Sequence, residues 1–431
     1  MPKPRKDWRE ELAIIDRTMK AISGITDPEE LVDVYWDGVS AFLPSYNFVS
    51  VSRRGETPPS YLITRSSRFE VHHNPWTQRD RLPRLSGGLL GEIIYGNQPV
   101  IIDDLPARLS PDDPAWFHLQ GFHALLAMPQ YDGGEGLNVS AMLLGEGEEI
   151  DYSLIPILHW QSGLFGRGTQ NLVLRNQLAA AHAAIDRELQ IIGEIQRSLL
   201  PAKLPDIPGL QLAADYQTSA RAGGDYYDFF PIGDNAWGIF IADVAGHGAP
   251  AAVLMAITHA IAHTRPGSPT PPGALLADLN RHLTRSYTAS GTFVTAFYAV
   301  YNPATHELRY TTAGHNTPRL LRNGAILPLD ARGGLPLGII DQQNYEEASL
   351  TLHPGDLLLL YTDGITESMA PTRPDGTREL FGEARLDQVL QMHSSATADQ
   401  LIAAVNDAVR AHTSAAPPAD DQTLVALRCT A

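Results

Sequence analysis

Apolar positions recur at helical spacing over residues 8–22 and 28–43, and the second run is opened by Asp27-Pro28-Glu29-Glu30, a cap with proline and acids in the first turn. The rhythm then changes to short strand-like runs at 47–53 and 60–65. A loop rich in His, Pro and Arg (66–86) leads to GGLLGEIIYGNQ, which predicts a short helix closed at Gly96-Asn97. PVIIDD and two apolar strands follow, 123–130 and 137–145, split by Asp132-Gly133-Gly134. Helix, strands, helix, strands, helix is an α+β layout of the kind sensor domains use, over residues 1–165.

Between 166 and 203 the pattern lengthens to heptads. With Asn171 as position a, the a series is Asn171, Leu178, Ile185, Ile192 and Leu199, and the d series is Leu174, Ala181, Glu188 and Ile195. A parallel two-stranded coiled coil fits this spacing, with an a-position asparagine to fix register. It predicts a homodimer joined through linker helices that Pro201 and Pro205 end. The alternative is one amphipathic helix packed on its own domain.

Residues 204–431 turn mostly to strands. Gly246-His247-Gly248-Ala249-Pro250 starts a helix to about His263, and a Pro-rich loop leads to a second helix at 274–287. Strands then recur, with turns at Asn302-Pro303, Asn323-Gly324 and Pro354-Gly355-Asp356. Strands, two helices, strands and helices predict an αββα sandwich.

Within this half, GGDYYDFFPIGDNAWGIFIADVAGHG reads as a hairpin with its tip at Gly233-Asp234-Asn235. If it folds about Asp234, Asp225 and Asp243 are equidistant from the tip. They then stand opposite each other on one face, with Cβ atoms roughly 4.5–5.5 Å apart. Two carboxylates so close repel unless they share a proton or a hard divalent cation. Pro231 argues for an edge strand or a bulge, and a one-residue slip would part the two acids. Asp228, three residues past Asp225, points to the other face as a structural acid. Two further acidic sites stand at strand ends: Asp363 after LLLLYT, and Asp420-Asp421 before QTLVALR. A lone acid there is ordinarily a turn residue. Four such positions, in a half judged to lack Cys or paired His ligands, point to an oxygen-only site for Mg²⁺ or Mn²⁺.

The formal charge of −17 is spread evenly: residues 1–165 and 202–431 each carry 14 basic against 23 acidic side chains. With no basic block, neither nucleic acid nor an anionic membrane is expected as a partner. A phosphorylated substrate would need bound cations to reverse the local sign. Cys429 is the sole cysteine, which precludes an internal disulfide and fits a reducing, cytoplasmic setting. The N-terminus lacks the apolar core of a signal peptide, and no run reaches the ~18–20 apolar residues of a membrane span.

Two resemblances extend this reading. GLLGEIIYGNQPVIIDD followed by GFHALLAMPQYDGGEGLNVSAMLL resembles a GAF domain across most of residues 10–165. This implies either a small-ligand pocket over the sheet or a dimerisation unit. Without a cysteine this half has no site for covalent bilin attachment. His72, His73, His118 and His123 are nominal haem ligands, but packed or surface histidines are the simpler reading. In the other half, QRSLLPAKLPDIPGLQLAADYQ, GGDYYDFF, IADVAGHGAPAA, TTAGHNTPRLL, LLLLYTDGITES and ADDQTL follow the order found in PPM-type, metal-dependent serine/threonine protein phosphatases. The match is to the bacterial SpoIIE/RsbU group, over roughly 195–428.

That resemblance implies two Mn²⁺ or Mg²⁺ ions and hydrolysis by an activated water, with no covalent enzyme intermediate. It carries Asp225 and Asp243 over as metal ligands at the catalytic centre, joined by Asp363 and one of Asp420 and Asp421. Asp420 is favoured, three residues before Thr423, and the Val244 carbonyl is a further candidate. Arg221 and the Gly246-His247-Gly248 segment are candidates for holding the phosphate. His247 is also a candidate general acid, although it lies four residues past Asp243, where eukaryotic relatives carry theirs two past. His315 and Asn316 are taken as turn-forming. The implied substrate is a phosphorylated STAS-domain protein of the anti-sigma-factor-antagonist type, with a small ligand or protein at 1–165 acting through the linker. The rival readings are a non-catalytic, ligand-responsive dimeric scaffold and a two-metal hydrolase of small phosphates or nucleic acid.

Overall fold

The structure, a computed structural model, describes residues 7–42, 47–233, 235–264, 271–288, 291–330 and 333–430. The chain divides into two compact units, Met1–His182 and Ala183–Ala431.

In the first unit, α1 (Trp8–Gly24) and α2 (Pro28–Ser40) precede β1 (Asn47–Ser52), β2 (Ser60–Ser66) and β3 (Arg84–Ser86). Then come α3 (Gly88–Gly96), β4 (Val100–Ile102), α4 (Trp116–Leu119), β5 (Ala124–Asp132) and β6 (Glu135–Leu144). Asp27 caps α2 by accepting from the Glu29 amide, and Asn97 ends α3 in the left-handed region at φ 57°. The six strands form one antiparallel sheet in the order β3-β2-β1-β6-β5-β4.

Alternation along β5 gives both faces of the sheet a core. Leu125 and Ala127 pack with Leu90 and Ile94 of α3 on one side. Leu126 and Met128 pack with Leu31 and Tyr35 of α2 on the other. The second face also takes Leu158, Phe165 and Leu172 of the next helix, α5 (Ile155–Leu199). The linker helix thus begins eleven residues before the expected 166, because its first turns carry side chains of this core. His118 is buried, with Nδ1 3.0 Å from the Ser66 hydroxyl, as a packed histidine rather than an open ligand.

The second unit holds the last turns of α5 and two five-stranded antiparallel sheets. One runs β14 (Ala348–Thr351), β11 (Glu307–Ala313), β10 (Val294–Asn302), β9 (Ala236–Val244) and β8 (Tyr226–Ile232). The other runs β13 (Ala325–Pro328), β12 (Arg319–Arg322), β15 (Leu357–Tyr361), β16 (Gln422–Cys429) and β7 (Leu210–Gln217). The continuous apolar run LLLLY in β15 is explained by burial on both faces. Leu358 and Leu360 join the core shared with Phe240 and Ile241 of the first sheet. Leu357, Leu359 and Tyr361 face the helices α9 (Gly382–Met392) and α10 (Ala398–His412). Helices α6 (Ala249–Thr264) and α7 (Pro272–Ser286) pack on the first sheet. The single-turn α8 (Asp363–Thr366) follows β15. The result is helix, sheet, sheet, helix in layers. No helix among the described residues is long and apolar enough to cross a membrane.

Candidate active site

The hairpin has the register that folding about Asp234 predicts, although Asp234 itself lies outside the described residues. Pairs run from Tyr226↔Ala242 to Ile232↔Ala236 with no register shift, so Pro231 sits opposite Trp237 without a bulge. Of the two alternatives for Pro231 the edge strand holds: β8 ends its sheet, where the missing N–H of Pro231 costs no ladder bond. Asp225 immediately precedes the ladder, and Asp243 is the penultimate residue of β9, opposite Thr295 of β10.

Asp225 is fully buried and ties the two sheets together at this edge. Its Oδ2 accepts from the hydroxyls of Thr362 (2.7 Å) and Thr423 (2.5 Å), at the ends of β15 and β16. Those threonines are themselves joined, the Thr423 amide donating to the Thr362 hydroxyl at 2.9 Å. Oδ1 is buried without a donor, and the Asp243 carboxyl group lies within hydrogen-bonding reach of Asp225. Burial pushes both carboxyl groups far above the usual carboxylate range; for Asp243 the neighbouring charges of Asp225 and Asp363 add to it. Asp363 is raised as well, by burial first and then by Glu367 and Asp420.

Carboxylates from three separate parts of the chain therefore lie near enough for their charges to act on one another, and Asp225 Oδ1 is buried without a donor. An all-oxygen donor set of this kind fits a hard divalent ion. Glu367, four residues beyond Asp363 and not named among the sequence candidates, exerts the strongest charge repulsion on Asp363.

The Asp420-Asp421 pair divides its work. Asp420 is exposed and its charge acts on both Asp243 and Asp363. Asp421 is buried and already bonded: Oδ1 accepts from the Ser219 amide (2.8 Å) and hydroxyl (3.1 Å), and Oδ2 from the Gly224 amide (2.6 Å). It holds the loop that delivers Asp225. Gly223 is glycine because a Cβ there would collide with this carboxylate. Gly364 lies within α8 and is glycine because a Cβ would overlap the Asp421 carbonyl. The Val244 carbonyl oxygen passes 2.8 Å from where a Gly224 Cβ would stand, so this backbone closes tightly on the site.

The expected phosphate contacts are less gathered. Gly246 and Gly248 adopt φ of 99° and 78°, conformations glycine favours, and α6 begins directly after them. His247 between them is exposed. Arg221, expected to hold phosphate, instead grips Asp186 of α5 through Nε and Nη2 at 2.9 and 3.1 Å. His315, expected to form a turn, is buried and held neutral by burial, with Nδ1 2.9 Å from the hydroxyl of Thr295, the ladder partner of Asp243.

Gln196, the first residue of the QRSLLPAKLP motif, completes the site. Gln196, near the end of α5, is buried and clasps Gly223 at both backbone groups. Its Nε2 donates to the Gly223 carbonyl (2.7 Å) and its Oε1 accepts from the Gly223 amide (2.8 Å). Nε2 also reaches the Tyr216 hydroxyl at 3.1 Å. One helical turn earlier, Gly193 packs so closely on the Arg221 carbonyl that no side chain fits.

Comparison with known proteins places these motifs in context. The family model for Stage II sporulation protein E (SpoIIE) matches residues 233–430. Among curated proteins, the chain is 30% identical over 231 residues to phosphoserine phosphatase RsbU of Bacillus subtilis (strain 168), covering 52% of this chain and 65% of RsbU. It is 26% identical over 187 residues to phosphoserine phosphatase RsbP of the same organism, covering 43% of this chain and 46% of RsbP. The chain spans less than two thirds of the length of each of these relatives. Among solved structures it resembles the SiaA-PP2C domain of Pseudomonas aeruginosa, with a TM-score of 0.50 and 23% identity, covering 58% of this chain and 99% of that one. At that identity the likeness speaks for the fold alone.

Proposed function

From the match of residues 233–430 to the SpoIIE family model and the likeness to RsbU, we propose that this chain is a sensor-regulated phosphoserine/phosphothreonine protein phosphatase of the PP2C type. The observation that carries the reading is that the charges of Asp225, Asp363 and Asp420 all act on the half-buried Asp243, with the Asp225 Oδ1 buried and without a donor. Those four side chains, with the Val244 carbonyl, are the groups that would hold two Mn²⁺ or Mg²⁺ ions. Asp421 takes the positioning role instead, its bonds to Ser219 and Gly224 holding the loop that delivers Asp225. Bound there, such ions supply Lewis acidity, which lowers the pKa of water and neutralises charge on a phosphoryl group.

The chain's own contribution is to hold the carboxylates in place before substrate arrives. Thr362 and Thr423 fix Asp225, Asp421 fixes the loop before it, and Thr295 stands opposite Asp243. The amides of Gly246 to Gly248, leading into the N-terminus of α6, would face an anion. His247, exposed in that turn, is the protein's candidate proton donor to the leaving alkoxide.

The substrate we infer is a phosphorylated STAS-type protein acting in partner switching, a setting that RsbU-like sequence supports. The first unit would act as the sensor, as its GAF-like layout suggests. A cavity of about 270 Å³ in that unit supports a small ligand. Tyr35, Trp36, Arg54 and Arg65 line it together with Phe165, Thr169 and Gln170 of α5, so a ligand there would touch the linker helix directly. The same helix ends in the Gln196 clasp two residues from Asp225, which gives it a means of ordering the metal site. Leu174, Leu178, Ile185 and Ile195 are all more than half exposed along α5, which supports a homodimer built on that stripe. A single, buried cysteine fits work in the cytoplasm.

The test is manganese-dependent hydrolysis of p-nitrophenyl phosphate, followed by a phosphoserine-bearing STAS protein. Activity on both, lost in Asp243→Asn and Asp363→Asn, is the expected result. No hydrolysis of either substrate would favour the non-catalytic scaffold.

A further inference from the structure

Against the expectation of no paired histidine ligands in the C-terminal half, THAIAHT contains a pair one helical turn apart. His259 and His263 lie four residues apart on α6, and their ring centroids are 4.2 Å from each other. Both face Asp228 of β8, the acid expected to be structural. One donor atom from each of the three residues lies within 4.8 Å of the other two. His263 Nε2 is already 2.7 Å from Asp228 Oδ2.

An ordinary surface ion pair does not account for this arrangement. Asp228 is only 6% exposed. The Tyr226 hydroxyl donates to its Oδ2 at 2.6 Å and the Phe229 amide to its Oδ1 at 2.7 Å. A carboxylate so oriented has the outer-shell support seen around metal ligands. His259 makes no hydrogen bond among the described residues; its ring edge packs on Tyr226 at 5.6 Å. Burial and the adjacent His263 pull it below the usual histidine range, which keeps its nitrogen lone pair available. The His263 side chain is 43% exposed, which leaves a path for an ion and room for a solvent ligand.

We propose that Asp228, His259 and His263 form a second metal site, separate from the all-oxygen carboxylate cluster and selective for a borderline divalent cation such as Zn²⁺. Two imidazoles and one carboxylate, with a fourth position open, suit tetrahedral Zn²⁺ and do not suit Mg²⁺. The site staples α6 to β8. Because α6 starts at the Gly246–Gly248 turn, the staple steadies the backbone that follows Asp243.

The experiment uses the full chain carrying Asp243→Asn and Asp363→Asn, so that the carboxylate cluster does not compete. Zn²⁺ is titrated against a chromophoric chelator, and Co²⁺ is followed by visible absorption, with circular dichroism to confirm folding. The expected result is one equivalent of Zn²⁺ and a tetrahedral-type Co²⁺ band, both lost on adding His263→Ala or His259→Ala. Tyr226→Phe should weaken binding about 10- to 100-fold. His263 is exposed enough that its replacement leaves the fold intact, so it decides the matter if His259→Ala unfolds. No stoichiometric binding in this background, or an equivalent that survives His263→Ala, would overturn the proposal. Neither outcome depends on whether the chain hydrolyses phosphoprotein.

Discussion

Asp225 and Asp243 show how a single pair of side chains sets stability against function. Without a cation, both have folded-state pKa values above those of the unfolded chain, because burial disfavours their charge, with repulsion from Asp421 on Asp225 and from Asp225 and Asp363 on Asp243. The folded state then binds protons more tightly than the unfolded one, so stability falls as pH rises from the ordinary carboxylate range through the raised values. In EDTA, the unfolding midpoint should therefore drop by at least about 3 °C between pH 5 and pH 8. Asp243→Asn should flatten that slope and raise the metal-free midpoint at pH 8, while abolishing the stabilisation that Mn²⁺ gives the unaltered chain. A steeper slope, or a lower midpoint, in the variant would contradict the account. Thr423→Val removes one of the two donors to Asp225 Oδ2, and a cost of about 1–2 kcal/mol in urea unfolding is expected.

At the scale of elements, the end of α5 and the loop before β8 act as a joint. Gln196→Ala would leave the amide and carbonyl of Gly223 buried without partners, at about 1–3 kcal/mol for each group. The expected phenotype is weaker Mn²⁺ affinity and lower kcat, with the circular dichroism spectrum unchanged. Gly193→Ala should act in the same direction, since its Cβ would overlap the Arg221 carbonyl. Unchanged Mn²⁺ affinity in both variants would remove the linker from any account of regulation.

What could be seen in advance at this scale was whatever depends on neighbours in sequence. The hairpin about Asp234 was legible because alternation and a turn signal fix register, as were the caps at Asp27 and Asn97. The Gln196 clasp, the Asp421 brace and the pairing of Arg221 with Asp186 were not, because each joins positions 27 to 202 residues apart through contacts that leave no periodic trace. Glu367 and the His259–His263 pair did carry a local signal, a spacing of four on a helix or turn, and it was overlooked.

At the scale of the whole molecule, the claim is that a dimer of α5 helices relays events in residues 1–165 to the carboxylate cluster. Ile185→Lys places a charge in the exposed stripe, and analytical ultracentrifugation should show a shift from dimer to monomer. A chain that is monomeric before the substitution would contradict the dimer. The acidic balance of both halves also bears on partners, since a phosphoprotein substrate of the proposed kind, approaching a chain of net charge −17, would be helped by cations held at the cluster. All of this rests on those cations being held. The most direct measurement is therefore equilibrium dialysis of the full chain against Mn²⁺, compared with its Asp243→Asn variant. The account predicts two more equivalents bound by the unaltered chain than by the variant; equal binding by the two would contradict it.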